Sequence, residues 1–211
     1  MSKTKYLFAS LAVAALGVAA LAPRVAAADK EETERPMAPA FKVKDYDGKE
    51  RTLEEFKGKY VVLEWVNLEC PFVKKHYNGS ANMQKLQKTY ADKGVVWLAI
   101  CSSAAGKQGH LTPEGWKTAY TEKKMAATTV LIDGDGAVGK AYGAKTTPHM
   151  WIIGPKGTIE YTGAIDDDRN PQADPAKTKN FVAGALDALL AGKEPPVRET
   201  PPYGCSVKYA D

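Results

Sequence analysis

The sequence predicts an α/β domain: a central mixed sheet flanked by helices, with an N-terminal β extension and one inserted strand and helix. Three observations carry this. Strand-like and helix-like segments alternate through the first half of the 211-residue chain. Two near-continuous apolar runs, Tyr60 to Val66 and Val95 to Cys101, have the pattern of strands covered on both faces. Past the midpoint, a turn at Pro155-Lys-Gly157 joins two further strand-like runs as a hairpin, and an apolar helical segment follows.

The chain opens with Lys3 and Lys5, an apolar run from Leu7 to Ala22, and the small residues Ala26-Ala27-Ala28. These are the three parts of a secretory signal over residues 1–28. The apolar run falls short of the ~20 residues of a membrane span. The expectation is therefore a cleaved signal, a periplasmic or secreted product, and no stable membrane anchor after cleavage. Cleavage removes Lys3, Lys5 and Arg24, which cancels most of the formal charge of +4. What remains carries no basic footprint for nucleic acid. Residues 29–39 are charged, carry Pro36 and Pro39, and read as a flexible leader. Residues 40–192 form one domain, and residues 193–211 form a Pro-containing tail.

Within the domain, Phe41 to Val43 alternates like a short strand, and Asp47-Gly48 turns it towards a second. Thr52 and Glu55 match a capping box for one helical turn through Phe56. After the Tyr60–Val66 strand, a helix starts at Cys70-Pro71 and breaks near Asn78-Gly79. It resumes with Ser80 or Asn82 as cap, shows Met83, Leu86 and Tyr90 on one face, and stops at Gly94. The strand Val95–Cys101 should pair parallel with the first. Residues 102–111 are a loop, and Thr112-Pro113 starts a helix through Trp116 and Tyr120. Thr128 to Ile132 is a third strand. A turn at Asp133 to Gly136 leads to a short helix ending near Tyr142. The hairpin strands are His149 to Ile153 and Thr158 to Thr162, and Asp174-Pro175 opens the last helix, which carries Phe181, Leu186, Leu189 and Leu190.

The chemistry-bearing residue is Cys70, at a strand-to-helix junction, where helix-terminal N–H groups favour a thiolate. The other two of the three cysteines are Cys101 and Cys205. The odd number leaves at least one sulfur free or paired elsewhere. Cys101 ends the second buried strand and reads first as a core thiol, second as a redox partner of Cys70. Cys205 lies in the tail, beside Gly204 and among Tyr203, Val207 and Tyr209, which are apolar enough to dock. The tail is expected to fold back and offer Cys205 as the resolving thiol. Lys74 and Lys75 read as a solvated helix face, and Asp166 to Asp168 as a polar loop.

The element order, the cysteine at the junction and three motifs carry a resemblance. The motifs are W-x-N-x-E-C-P-F-V from Trp65, Y-G-A-K-T-T-P-H-M from Tyr142, and Y-G-C-S-V-K-Y from Tyr203. Together they resemble the thioredoxin-like superfamily and, within it, the redoxin (AhpC/TSA-like, peroxiredoxin-like thioredoxin protein) family. The resemblance implies a thioredoxin-like fold and an oxidoreductase using Cys70 as nucleophile. It further implies a cis bond at Thr147-Pro148 facing that sulfur, and backbone at Thr147 offered to an extended thiol substrate. Asn67, Pro71, Thr147 and Pro148 are the expected substrate-binding residues.

The sequence departs from both family patterns. Cys70-Pro-Phe-Val73 places valine where a dithiol motif has its second cysteine, so exchange within the motif is excluded. Asn67 and Leu63 stand where a peroxiredoxin motif has threonine and proline. The substrate is therefore a protein thiol or disulfide, or a peroxide, with an external thiol reductant. No cofactor is expected. The rival is a non-catalytic binding module, handling copper through Cys70, His76 and His149. The copper-delivering relatives use a second cysteine missing here, so no metal is assigned.

Overall fold

The computed structural model describes residues 35–210. The expected signal segment, residues 1–28, and the start of the leader lie outside the described residues. Among the described residues no helix is long and apolar enough to cross a membrane.

Three parallel strands, β3 (Val61–Trp65), β4 (Val96–Cys101) and β5 (Thr129–Ile132), form one half of a five-stranded sheet. The hairpin β7 (His149–Ile153) and β8 (Ile159–Gly163) completes it in the order β5-β4-β3-β7-β8. β7 runs antiparallel to β3, pairing Trp65 with His149, so the sheet is mixed as expected. Every residue of β3 and β4 is buried, which is why their apolar runs lack polar alternation. Val62 and Val66 pack into one core layer with Trp97, Tyr161 and Leu186. Val61, Leu63 and Trp65 pack into the other with Leu98, Ile100 and Trp151. The extension is the antiparallel pair β1 (Lys42–Lys44) and β2 (Glu50–Thr52).

The helices are α1 (Pro71–Tyr77), α2 (Asn82–Ala91), α3 (Pro113–Glu122), α4 (Ala137–Ala141) and α5 (Phe181–Leu190). The Thr112 hydroxyl caps α3 by accepting from the Gly115 N–H, as its Thr-Pro signature implies. α2 departs from expectation: its cap position is Ala81 in the left-handed region, and Ser80 instead accepts from the Asn82 N–H at 3.3 Å. The last helix also starts later than expected. Asp174 caps only a 3-10 turn, Pro175–Lys177, and Asn180 caps α5 through the Ala183 N–H.

One further correction concerns the leader. Residues 35–39, read as flexible leader, are held on the β7–β8 hairpin. Ala38 N–H donates to Gly157 O, Ile159 N–H donates to Pro36 O, and Arg35 pairs with Glu160 and Glu194. The tail, in turn, is docked along its length and makes a strand of its own. β9 (Cys205–Ser206) pairs antiparallel with β6 (Thr146–Thr147), matching Thr147 with Cys205.

Candidate active site

Cys70 occupies the N-cap position of α1, just beyond the end of β3, with Pro71 as the first helical residue. Its carbonyl accepts from the Val73 and Lys74 N–H groups. Its side chain is fully buried. The Cys70 thiol can donate to Thr147 O at 3.0 Å, and its Sγ lies 2.9 Å from the Sγ of Cys205. The two sulfurs touch without being bonded. The Thr147–Pro148 bond is cis, as the resemblance implied.

The environments of the two thiols differ. Burial pushes the Cys70 thiol up. Hydrogen bonds to its thiolate from the Cys205 thiol and the Cys205 and Val73 N–H groups outweigh this and hold it below the usual cysteine range. Cys205, half-buried, is pushed up to about 11 by burial and by the Cys70 sulfur it serves. The pair is thus polarised, with Cys70 the better thiolate and better leaving group and Cys205 the proton-holding partner.

The tail reaches this position through several anchors. Tyr203 is buried, its ring meets Phe72 edge-on at 5.8 Å, and its hydroxyl donates to Asp166. Lys75 Nζ pairs with Asp166 at 3.0 Å and donates to Asp168 O. Further along, Val207 N–H donates to Lys145 O, and Ala104 N–H to Lys208 O. Tyr209 lies over Gly136 and Gly139 and donates to Ala144 O at 2.8 Å. Gly204 has a positive φ of 138°, and a Cβ there would sit 2.1 Å from Thr147 O. Only glycine lets the tail lie this close to β6.

This corrects two sequence expectations. Lys75 is not on a solvated face: it is fully buried, while Lys74 is exposed. Asp166 is not in an open polar loop but is 1% exposed and receives Lys75, Tyr203 and Thr178. Nothing in the periodicity of a seven-residue helix distinguishes Lys75 from Lys74. The signal lay in a residue pair 91 positions apart, beyond any local pattern.

Of the remaining candidates, Thr147 borders the sulfur pair through its backbone and Pro71 follows Cys70 directly, while the others have partners of their own. Asn67 is buried and occupied locally: its Oδ1 accepts from Glu69 N–H at 2.9 Å and its Nδ2 donates to Gln108 O at 3.2 Å. Pro71 is exposed at the start of α1. The Thr147 Oγ1 is buried with no hydrogen-bond partner. The Cys101 thiol faces Gly109 O at 3.6 Å, and burial pushes its pKa up, as for a core thiol. His76, buried, meets Asn82 through Nδ1 and is lowered to about 4 by burial. His149 accepts from Lys145 N–H, meets the Trp151 ring at a tilt with centroids 3.8 Å apart, and is lowered to about 3 by burial. Among the described residues no cluster of three or more His, Cys, Asp or Glu side chains could hold a metal ion.

The AhpC/TSA family model matches residues 35–162, more than half of the chain. Over 127 residues the chain is 30% identical to the thioredoxin-like protein YneN of Bacillus subtilis, covering 60% of this chain and 69% of that one. Over 122 residues it is 29% identical to the thiol-disulfide oxidoreductase ResA of Bacillus thuringiensis, covering 58% of this chain and 64% of that one. An uncharacterized conserved protein from Geobacillus kaustophilus superposes with a TM-score of 0.75 at 31% identity, over 83% of this chain and 92% of that one. The hypothetical protein SMc02350 from Sinorhizobium meliloti gives 0.72 at 28% identity, over 83% and 94%. The family match stops at Thr162, so Cys205 and its anchoring tail lie outside it. The chain belongs to the AhpC/TSA family and carries it on a thioredoxin-like fold.

Proposed function

We propose that this protein is an exported thiol-dependent oxidoreductase that cycles between a Cys70/Cys205 dithiol and a Cys70–Cys205 disulfide. The observation that carries this is the 2.9 Å approach of the two sulfurs at the end of a fully anchored tail. The names of YneN and ResA support thiol chemistry, and the signal-like start of the sequence supports export.

In this reading the Cys70 thiolate attacks the oxidant. With a hydroperoxide it takes the terminal oxygen, becoming a sulfenic acid as the alcohol or water leaves. With a disulfide it forms a mixed disulfide and releases one thiol. The Cys205 sulfur then attacks Cys70. Its proton passes to the leaving water or thiol, and the Cys70–Cys205 bond closes. An external thiol reductant supplies the two electrons that reopen it. Cys205 thus replaces the second thiol missing at Val73.

The test is to oxidise the reduced protein with one equivalent of hydrogen peroxide or a low-mass disulfide, then map its peptides without reduction. The expected product is an intramolecular Cys70–Cys205 link. A Cys70–Cys101 link, an intermolecular link or three unchanged thiols would overturn the reading. Export is checked separately, by sequencing the N-terminus of the protein recovered from cells.

A further inference from the structure

β6 is a two-residue strand whose pairing edge is filled by this chain's own tail. Thr147 of β6 faces Cys205 of β9, and the Thr147 carbonyl lies 3.0 Å from the Cys70 sulfur. The edge and the sulfur are therefore one place. An extended polypeptide delivering a disulfide to Cys70 by strand addition needs that edge free. Here the edge is occupied, and the occupant is anchored on both sides of Cys205. Upstream, Tyr203 is buried against Phe72, with its hydroxyl on Asp166. Downstream, Val207 N–H bonds Lys145 O and Tyr209 packs over Gly136 and Gly139.

Resting on the two-cysteine reading above, we propose that the docked tail determines substrate class. By filling the β6 edge it closes Cys70 to extended polypeptide disulfides and reserves the buried sulfur for a small hydroperoxide. Blocking a competing partner at the site of the attractive contact is a direct route to specificity. Cys70 is wholly covered while Cys205 is partly exposed, so a bulky molecule meets the tail before the nucleophile. A hydroperoxide needs only a path for a pair of oxygen atoms. The Cys70 thiolate takes one oxygen, a proton goes to the departing alkoxide or hydroxide, and Cys205 closes the disulfide with loss of water. The tail lies beyond residues 35–162, so the part of the chain that the family model matches does not by itself carry this selectivity.

The experiment uses the full chain with Cys205→Ser, which keeps the tail but cannot resolve, alone and combined with Gly204→Val. The added side chain must move away from the Thr147 carbonyl and lifts the tail from β6. A second combination, Tyr203→Ala with Cys205→Ser, undocks the tail without touching Gly204. Two probes are compared. One is hydrogen peroxide, followed by the mass gain of sulfenic acid on Cys70. The other is an extended peptide whose central cysteine is held as a mixed disulfide with thionitrobenzoate. Attack on the peptide sulfur releases the coloured thiolate and leaves the peptide on Cys70.

The expected result is that Cys205→Ser reacts with peroxide and barely with the peptide. The ratio of peptide to peroxide rate should then rise by at least ~10-fold in both undocked variants. An equal ratio in all three proteins, or a Cys205→Ser protein that prefers the peptide, overturns the inference while leaving the two-cysteine reading intact. If Cys70 reacts with neither probe in any variant, the two-cysteine reading falls and this inference with it. Far-ultraviolet circular dichroism confirms that each variant remains folded, and the Tyr203→Ala combination decides the matter if Gly204→Val does not.

Discussion

At Cys70 a thiolate gains hydrogen bonds from the Cys205 thiol and N–H and from the Val73 N–H, against a burial cost that alone would raise its pKa. Replacing Cys205 with alanine removes the thiol donor, so the Cys70 pKa is expected to rise. Ultraviolet thiolate absorbance followed against pH checks this, and an unchanged or lower midpoint contradicts the assigned hydrogen bonding. Glu64 makes the opposite case. It is buried within β3 and receives Tyr77, Gln87 and Trp97, yet burial still raises its pKa from 4.5 to about 7. The folded state therefore holds the Glu64 proton more tightly than the unfolded chain does. Its contribution to stability is full below pH 4.5 and is lost as pH rises through about 7. A Glu64→Gln variant should flatten the fall in stability across that interval, seen in urea unfolding at a series of pH values. A slope as steep as that of the unmodified protein would rule this out. No local pattern around Glu64 announces this role, because its three partners come from α1, α2 and β4.

Among the elements, the tail departs furthest from what local pattern predicts. Its residues suggested docking, since Tyr203, Val207 and Tyr209 space apolar surface along it. They could not show that the docked segment becomes a strand, because its partner β6 is only two residues long. Gly204→Ala should weaken this element specifically. Its Cβ would collide with the Thr147 carbonyl, at an expected cost of about 1–3 kcal/mol. Formation of the Cys70–Cys205 disulfide after peroxide addition should slow in parallel, read by non-reducing electrophoresis. Stability and disulfide rate both unchanged would mean that the tail does not need this approach. The last helix offers a simpler check. With Asn180 rather than Asp174 as its cap, Asn180→Ala should cost about 1 kcal/mol and Asp174→Ala less. The sequence pointed to Asp174 because Pro175 follows it as a helix-starting residue. Asp174 and Pro175 instead close a separate turn.

For the whole molecule, the two sulfurs are 135 positions apart, so a link between them closes most of the described chain into one loop. In the loop-entropy picture this destabilises the unfolded state by up to about 5 kcal/mol, less any strain in the linked native form. The oxidised protein should therefore melt above the reduced one in calorimetry. An oxidised form that melts at or below the reduced form would argue against Cys70–Cys205 as the native pair. The link would also couple redox state to the seat of the tail. It ties β9 to α1 covalently, where the reduced protein relies on Tyr203, Gly204 and the β6 pairing.

By itself the sequence determined the strands of the sheet and the place of Cys70 at a strand-to-helix junction, because both follow from local pattern. Doubly buried strands demand continuous apolar runs, the hairpin demands its Pro-Lys-Gly turn, and a lone cysteine before a helix-starting proline is visible at once. It also showed that Cys70 lacks a second thiol nearby. Only the tertiary structure decided which distant groups surround that sulfur. Cys205 on a two-residue strand, Gly204 against the Thr147 carbonyl, and buried Lys75 with Asp166 and Tyr203 are contacts between far-separated residues. No single position in such a contact carries a periodic signal, since each is selected by its partner in space rather than by its neighbours in the chain.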